Sequence, residues 1–198
     1  MSADAIKKGL LIVLVGPSGV GKSTIARRLA ERMHLQYIIS ATTRPKNDKD
    51  NLGKIYEHID QPTFFKKLEN GEFLEYAAVF DEYYGTPKHP TLDHLAKGED
   101  VLLEIDVQGA MQVRFQYPDA LMIFIMPPDE ASLLQRLRER GRDSEEAIEK
   151  RFRGAKREIW MAKGSRVFDD MVINDNVDRA VEEISRLIRH KKSPGGIG

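Results

Sequence analysis

Cysteine is absent from this sequence. That excludes disulfides and thiolate-held metal, and it fits a reducing compartment, so a cytoplasmic location is expected. Net charge is absent too, because 31 Lys and Arg balance 31 Asp and Glu. Without a global basic field, neither nucleic acid nor an acidic membrane surface is an expected partner. Long hydrophobic runs are also missing. The apolar run before Gly16, Leu10–Val15, has six residues, too few for a signal-peptide core or a membrane span. The five histidines (His34, His58, His89, His94 and His190) show no metal-ligand spacing. The single tryptophan, Trp160, lies in a long helical stretch and is expected to pack. There is no internal repeat.

What is there describes an ordinary globular chain. Its 198 residues are 41% hydrophobic and 31% charged, enough for one core with room for a small inserted subdomain. Apolar strands alternate with helical patterns, which predicts a parallel sheet of βαβ type. The strand candidates are Leu10–Val15, Val101–Ile105, Leu121–Met126 and Met171–Ile173. Helices are predicted near Gln108–Gln116 and Asp129–Arg140, and from Val177 with Asn176 as cap, where Val177, Val181, Ile184 and Ile188 form an apolar stripe. The basic and Gly/Pro-rich end, 191–198, reads as a disordered tail.

The stretch "GPSGVGKST" follows the first strand. It fits G-x-x-x-x-G-K-[ST] at Gly16, Gly21, Lys22 and Ser23, and Ile25, Leu29 and Met33 then recur at helical spacing. Such a loop lines a cup with backbone N–H groups above a helix N-terminus, and so holds phosphates. Lys22 can reach the outer phosphates, and the Ser23 hydroxyl can serve Mg²⁺. A plain glycine-rich turn is the bland alternative, and the strand-loop-helix context argues against it. The loop is therefore expected to bind a nucleoside triphosphate.

Residues from about 38 to 90 break the alternation. "YIISATT", "IYEHI", "EFLEYAAVF" and "YYGT" are short, aromatic and β-branched. They predict an antiparallel insertion near the carboxyl ends of the parallel strands, where such sheets place ligands. "DQPTFFKKLENG" reads as a helix with Asp60 as cap and Gly71 as stop, and "VFDEYYG" as a hairpin turning at Asp81-Glu82. A second unusual stretch, 136 to 158, holds seven arginines. Gly141 interrupts it, and Asp143 with Glu146 forms a capping pair for a new helix. A charge run is usually a solvated face. Arg136 and Arg140, however, share one helical face, and transferred phosphates need such charge.

With these residues the chain resembles the guanylate kinase family of nucleoside monophosphate kinases. The resemblance covers about Leu10 to Arg189 and rests on "GPSGVGKST", "SATTRP", "GKIYEHI", "FLEYAAVF", "YYGTP", "LEIDVQG", "RLRERG", "DSEEAIEKR" and "VINDN". It implies a phosphate-loop parallel core flanked by helices, an inserted NMP-binding subdomain and a helical arginine-rich lid. By position, the core is 9–37, 91–135 and 165–190, the insertion about 38–90 and the lid about 136–160. The implied activity is ATP-dependent phosphorylation of GMP to GDP, with Mg²⁺ as cofactor. Gly16, Pro17, Ser18, Gly19, Val20, Gly21, Lys22, Ser23, Thr24 and Asn174 match the ATP site. Ser40, Arg44, Tyr56, Glu75, Tyr84, Thr86 and Asp106 match the GMP site. Lys22, Arg136, Arg140 and Arg151 match the catalytic cations, and Ser23 the metal ligand.

The chemistry of those positions agrees with the resemblance. Arg44 offers a planar fork to a phosphate, and Tyr56 and Tyr84 can donate O–H. Guanine presents two adjacent donors, N1–H and the 2-amino group, which an acceptor-only carboxylate such as Glu75 can take together. Ser40 and Thr86 hydroxyls can donate to O6. Two departures stand out. The family's second phosphate-gripping arginine falls at Asn47, so Lys46 or Lys49 would have to supply charge without a bidentate fork. Glu104 stands where the family usually has Asp, one methylene shorter. Two rival readings keep the fold: a non-catalytic interaction module, and a kinase for ribosyl phosphates. The intact Lys22, Ser23, Arg140 and Arg151 weigh against the first. Ser40, Glu75 and Thr86 weigh against the second, because a base-free acceptor gives them nothing to bind.

Overall fold

A computed structural model describes residues 8–46, 56–79, 81–139 and 144–193. Five parallel strands form the main sheet in the order β2-β7-β1-β8-β9. They are β1 (Leu11–Val15), β2 (Gln36–Tyr37), β7 (Val101–Glu104), β8 (Leu121–Met126) and β9 (Asp170–Ile173). β1 sits at the centre and is buried along its whole length. Its residues alternate between two cores. Ile12 and Leu14 pack with Ile25 and Leu29 of α1 (Lys22–Met33) and with Val181, Ile184 and Ile188 of α7 (Val177–Lys192). Leu11, Val13 and Val15 pack on the other face with Val113 of α4 (Val107–Gln116), Leu95 of α3 (Lys88–Ala96) and Ala162 of α6 (Glu145–Gly164). A strand covered on both sides reads as an unbroken apolar run, which is what "LLIVLV" is.

The insertion forms a second sheet, ordered β4-β3-β6-β5. β3 is Ser40–Thr42, β4 Tyr56–His58, β5 Phe73–Val79 and β6 Glu82–Pro87. The sheet is mixed rather than wholly antiparallel, because β3 and β4 run parallel. Helix α2 (Gln61–Glu69) packs Phe64 beneath it, against Phe73 and Tyr83. Asp60 caps that helix by accepting from Thr63 N at 2.9 Å. The β5–β6 reversal comes one residue earlier than the sequence reading places it. Val79 pairs with Glu82, so Glu82 belongs to the strand, and Asp81 takes the left-handed conformation at φ 68°. An aspartate tolerates that conformation through local side-chain hydrogen bonding.

α5 (Glu130–Glu139) and α6 share a small core of Leu133, Leu137, Ile148 and Ala155. The cap of α6 is Ser144, which accepts from Ala147 N at 3.3 Å; Asp143, read as the cap, lies outside the described residues. Trp160 on α6 is 77% exposed and does not pack as expected. α7 continues to Lys192, so the start of the sequence-read tail is helical. Among the described residues no helix is long and apolar enough to cross a membrane.

Candidate active site

A cleft of about 410 Å³ opens between the phosphate loop, the insertion and α6. It lies beyond the carboxyl ends of β1 and β7, beside the point where strand order reverses around β1, the expected place for a ligand in an open parallel sheet.

The phosphate loop forms one wall. Gly19 and Gly21 have φ of 89° and 99°, left-handed values that L side chains avoid. Space excludes side chains there as well. A Cβ at Gly19 would lie 2.9 Å from Leu137, and one at Gly21 would lie 2.6 Å from the Asn174 amide. Lys22 lines the cleft and donates to the carbonyls of Gly16 and Pro17. Gly16, Pro17, Ser18, Gly19, Ser23 and Thr24 line it too, whereas Val20 is buried.

Two sequence-read residues stand behind this loop rather than in the cleft. Asn174 is 2% exposed and donates to the Val20 carbonyl at 2.7 Å. Arg136 donates to the Val20 carbonyl at 3.2 Å and to the Asn174 carbonyl at 2.8 Å. Both brace the loop. Arg140 lies outside the described residues.

Glu104 lines the cleft and bonds to both Ser23 and Tyr37. Its Oε1 accepts from the Ser23 hydroxyl at 2.8 Å, and its Oε2 from the Tyr37 hydroxyl at 2.6 Å. The longer side chain therefore reaches the phosphate loop, and Tyr37 holds it there. Burial and the neighbouring Glu104 charge push the Tyr37 hydroxyl well above its ordinary range, so it remains a donor. Among the described residues no cluster of three or more His, Asp or Glu is placed to hold a metal. The Ser23 and Glu104 oxygens are hard donors, a set that suits Mg²⁺ bound chiefly through substrate phosphates and water.

The insertion forms the opposite wall. Arg44 lies over the Tyr56 ring at 5.7 Å, and the rings of Tyr56 and Tyr84 meet edge-on at 5.5 Å. All three line the cleft, so a guanidinium and two phenols converge on one region. Lys46, read as a stand-in for the second arginine, is exposed and does not line the cleft. Asn47 and Lys49 lie outside the described residues.

Glu75 enters the cleft from β5, in line with Ala77 and Val79. It is 3% exposed, although Leu74 beside it is buried as well. A bulge between Phe73 and Glu75 re-aims the strand and breaks the alternation. The Thr86 hydroxyl, fully buried, donates to Glu75 Oε1 at 2.5 Å. That uses its only proton, so Thr86 holds the carboxylate and is not available to donate to a base oxygen as expected. With Thr86 committed to Glu75, the Ser40 hydroxyl donates to Thr86 at 3.3 Å; Ser40 lines the cleft and serves a base oxygen only by turning its O–H away from Thr86. Burial pushes the Glu75 carboxyl up to about 7; Thr86 opposes the shift and Asp106 adds to it. Asp106 caps α4 by accepting from Gly109 N at 2.8 Å, and burial raises its carboxyl too.

α6 contributes Arg151 and, two turns later, Glu158. The sequence reading did not include Glu158. Its signal was the spacing Arg151, Ala155, Glu158, Ala162, one helical face whose two alanines are buried. Burial pushes the Glu158 carboxyl up to about 7, with Lys22 opposing and Asp106 adding to the shift.

Among known proteins, the guanylate kinase family pattern matches residues 8–191. A guanylate kinase from Caldanaerobacter subterraneus subsp. tengcongensis is 46% identical over 94% of this chain and 89% of its own length. One from Carboxydothermus hydrogenoformans is 44% identical over 93% and 90%. The crystal structure of guanylate kinase from Anaplasma phagocytophilum superimposes with a TM-score of 0.77 at 30% identity, covering 96% of this chain and 89% of that one. The two-sheet architecture, the phosphate loop and this match over nearly the full length agree: the chain belongs to the guanylate kinase family.

Proposed function

We propose that the chain transfers the terminal phosphate of ATP to GMP, giving ADP and GDP. The observation that carries this reading is the buried Glu75 carboxylate, held by Thr86 in the same cleft as Lys22. An acceptor-only group suits the paired N1–H and 2-amino donors of guanine. A ribosyl-phosphate acceptor would leave that carboxylate desolvated with nothing to bind.

In this reading the insertion, 38–90, holds the acceptor. Arg44, Tyr56 and Tyr84 grip its phosphate while Glu75, Ser40 and Asp106 face its base. The loop from Gly16 to Thr24 holds ATP, braced by Asn174 and Arg136, and 136–160 serves as the lid. Ser23 and Glu104 would hold Mg²⁺, which supplies charge neutralisation on the phosphate oxygens when bound. The acceptor is a phosphate with a second pKa of about 6, so it needs no general base at neutral pH. The protein's tasks are alignment and charge: Lys22 and Arg151 both line the cleft and bring positive charge to the transferring group.

The test is ADP release measured across GMP, IMP, AMP and a ribosyl phosphate. Use of GMP well above the others is expected. Preference for the ribosyl phosphate, or no transfer at all, would sink the assignment.

Arg151 is expected to act on the transferring group. Arg151→Ala should lower kcat by about a hundredfold while changing GMP affinity far less. A variant that only raised the KM for GMP would make Arg151 a ground-state anchor.

The pH dependence follows from Glu75. In the free cleft burial pushes its carboxyl up to about 7, and only the ionised form accepts two donors. Protonation therefore competes with GMP, and kcat/KM for GMP should fall as pH drops below 7, approaching tenfold per unit. Asp106 and Glu158 titrate in the same cleft, so Glu75→Gln is the control. Its profile should lose the limb near 7; an unchanged limb would assign it to another group.

A further inference from the structure

One edge of the insertion sheet is β5, and α4 covers it. The cover is a row of amides at helical spacing, Gln108, Gln112 and Gln116. Gln108 Nε2 donates to the Ala78 carbonyl at 3.1 Å. Gln112 accepts from Tyr76 N at 3.2 Å and donates to the Tyr76 carbonyl at 2.6 Å. Gln116 Nε2 donates to the Leu74 carbonyl at 3.3 Å. Four residues of helix rise about 6 Å and two residues of strand about 6.6 Å, so successive glutamines meet alternate strand residues. The row satisfies edge groups that would otherwise need water, and it fixes β5 in register on the helix.

The same contact brings Glu75 against the first turn of α4, at Gly109. A Cβ on Gly109 would overlap Glu75 Oε2 and would stand 2.8 Å from its Cδ and 3.4 Å from Asp106 Oδ1. Gly109 is helical and its backbone has no positive φ. Alanine is the better helix former there, so helix formation gives no reason for a glycine. Room for the carboxylate does.

We propose that α4 gauges the acceptor-base site: the glutamine row holds β5 in register, and the bare Cα of Gly109 forms the notch that seats Glu75. Gly109 is then a specificity-determining residue and Gln112 a positioning residue. The inference rests on the reading of the cleft as a GMP site.

The experiment compares wild type, Gly109→Ala, Gln112→Ala, Glu75→Asp and the double variant Gly109→Ala with Glu75→Asp. Each is measured for GMP and IMP kinetics, ATP affinity by calorimetry, and thermal melting. Gly109→Ala should raise the KM for GMP about tenfold or more by displacing the carboxylate. It should leave ATP affinity within about twofold, because the phosphate loop is untouched. Its melting temperature should change little, because the gain from a better helix former and the cost of the displaced carboxylate oppose each other. Gln112→Ala, which removes both hydrogen bonds to Tyr76, should raise the KM for GMP by about fivefold or more. In the Glu75→Asp background the shorter carboxylate clears the added methyl, so Gly109→Ala should change GMP use by less than about twofold.

A Gly109→Ala enzyme with wild-type GMP kinetics would overturn the proposal. So would equal losses from Gly109→Ala in the wild-type and Glu75→Asp backgrounds, or a parallel loss of ATP affinity. Wild type that ignores GMP would refute the acceptor reading and this inference together. Active wild type with an insensitive variant refutes the gauge alone.

Discussion

Lys22→Ala is expected to lower kcat by about a thousandfold, the scale of removing a preorganised charge from a transferring group. Lys22 lines the cleft and makes its hydrogen bonds to the carbonyls of Gly16 and Pro17, within its own loop. It takes no part in either core of the sheet, so little stability should be lost with it. Its charge also faces Glu158 and Asp106, both raised by burial, so removing it leaves two carboxyls facing the phosphates. The variant should therefore bind ATP more weakly as well. Stopped turnover with a native melting curve and circular dichroism spectrum is the expected result. Near-normal turnover in a folded variant would refute the assigned role.

The second large effect is on base choice. IMP lacks only the 2-amino donor of GMP, so in a site built around Glu75 one carboxylate oxygen loses its partner. An unmade hydrogen bond to a charged group costs on the order of 1.5–3 kcal/mol, or roughly tenfold to a hundredfold in kcat/KM. AMP should fare worse, since it also turns an acceptor toward the carboxylate. Glu75→Gln keeps the volume and offers an amide donor, so the gaps among GMP, IMP and AMP should narrow. The measurement is kcat/KM for the three acceptors in both proteins. Equal use of GMP and IMP by wild type, or an unchanged ranking in the variant, would remove Glu75 as the reader of the base.

The part of this molecule legible in the sequence is the part set by local rules. β1 and β8 lie where their apolar runs place them, because a strand buried on both faces has no polar positions. The phosphate loop is legible because glycine spacing and a following amphipathic helix are fixed by backbone geometry. Asp60 and Asn176 are legible as caps because a cap bonds to its own helix, within three residues.

What the sequence concealed depends on contacts between distant segments. The burial of both Leu74 and Glu75 comes from a bulge, whose register is set by β6 and not by β5 alone. Thr86 reads as a base donor until its single O–H is found donating to Glu75, eleven residues away. Glu104 looks too long until Tyr37, from a strand paired with its own, takes the second oxygen. Trp160 reads as core because helical periodicity gives a face but not what covers it, and here nothing among the described residues buries it. Gly109 closes the "LEIDVQG" motif, but the sequence gives no reason for it, since its role is space for a side chain from another sheet. By itself the sequence determined the parallel core, the phosphate loop and the residue types available for chemistry, since each follows from spacing along one segment. Only the tertiary structure decided which oxygen meets which donor and which carboxyls share one cleft, because hydrogen-bond direction and desolvation are properties of pairs brought together by folding.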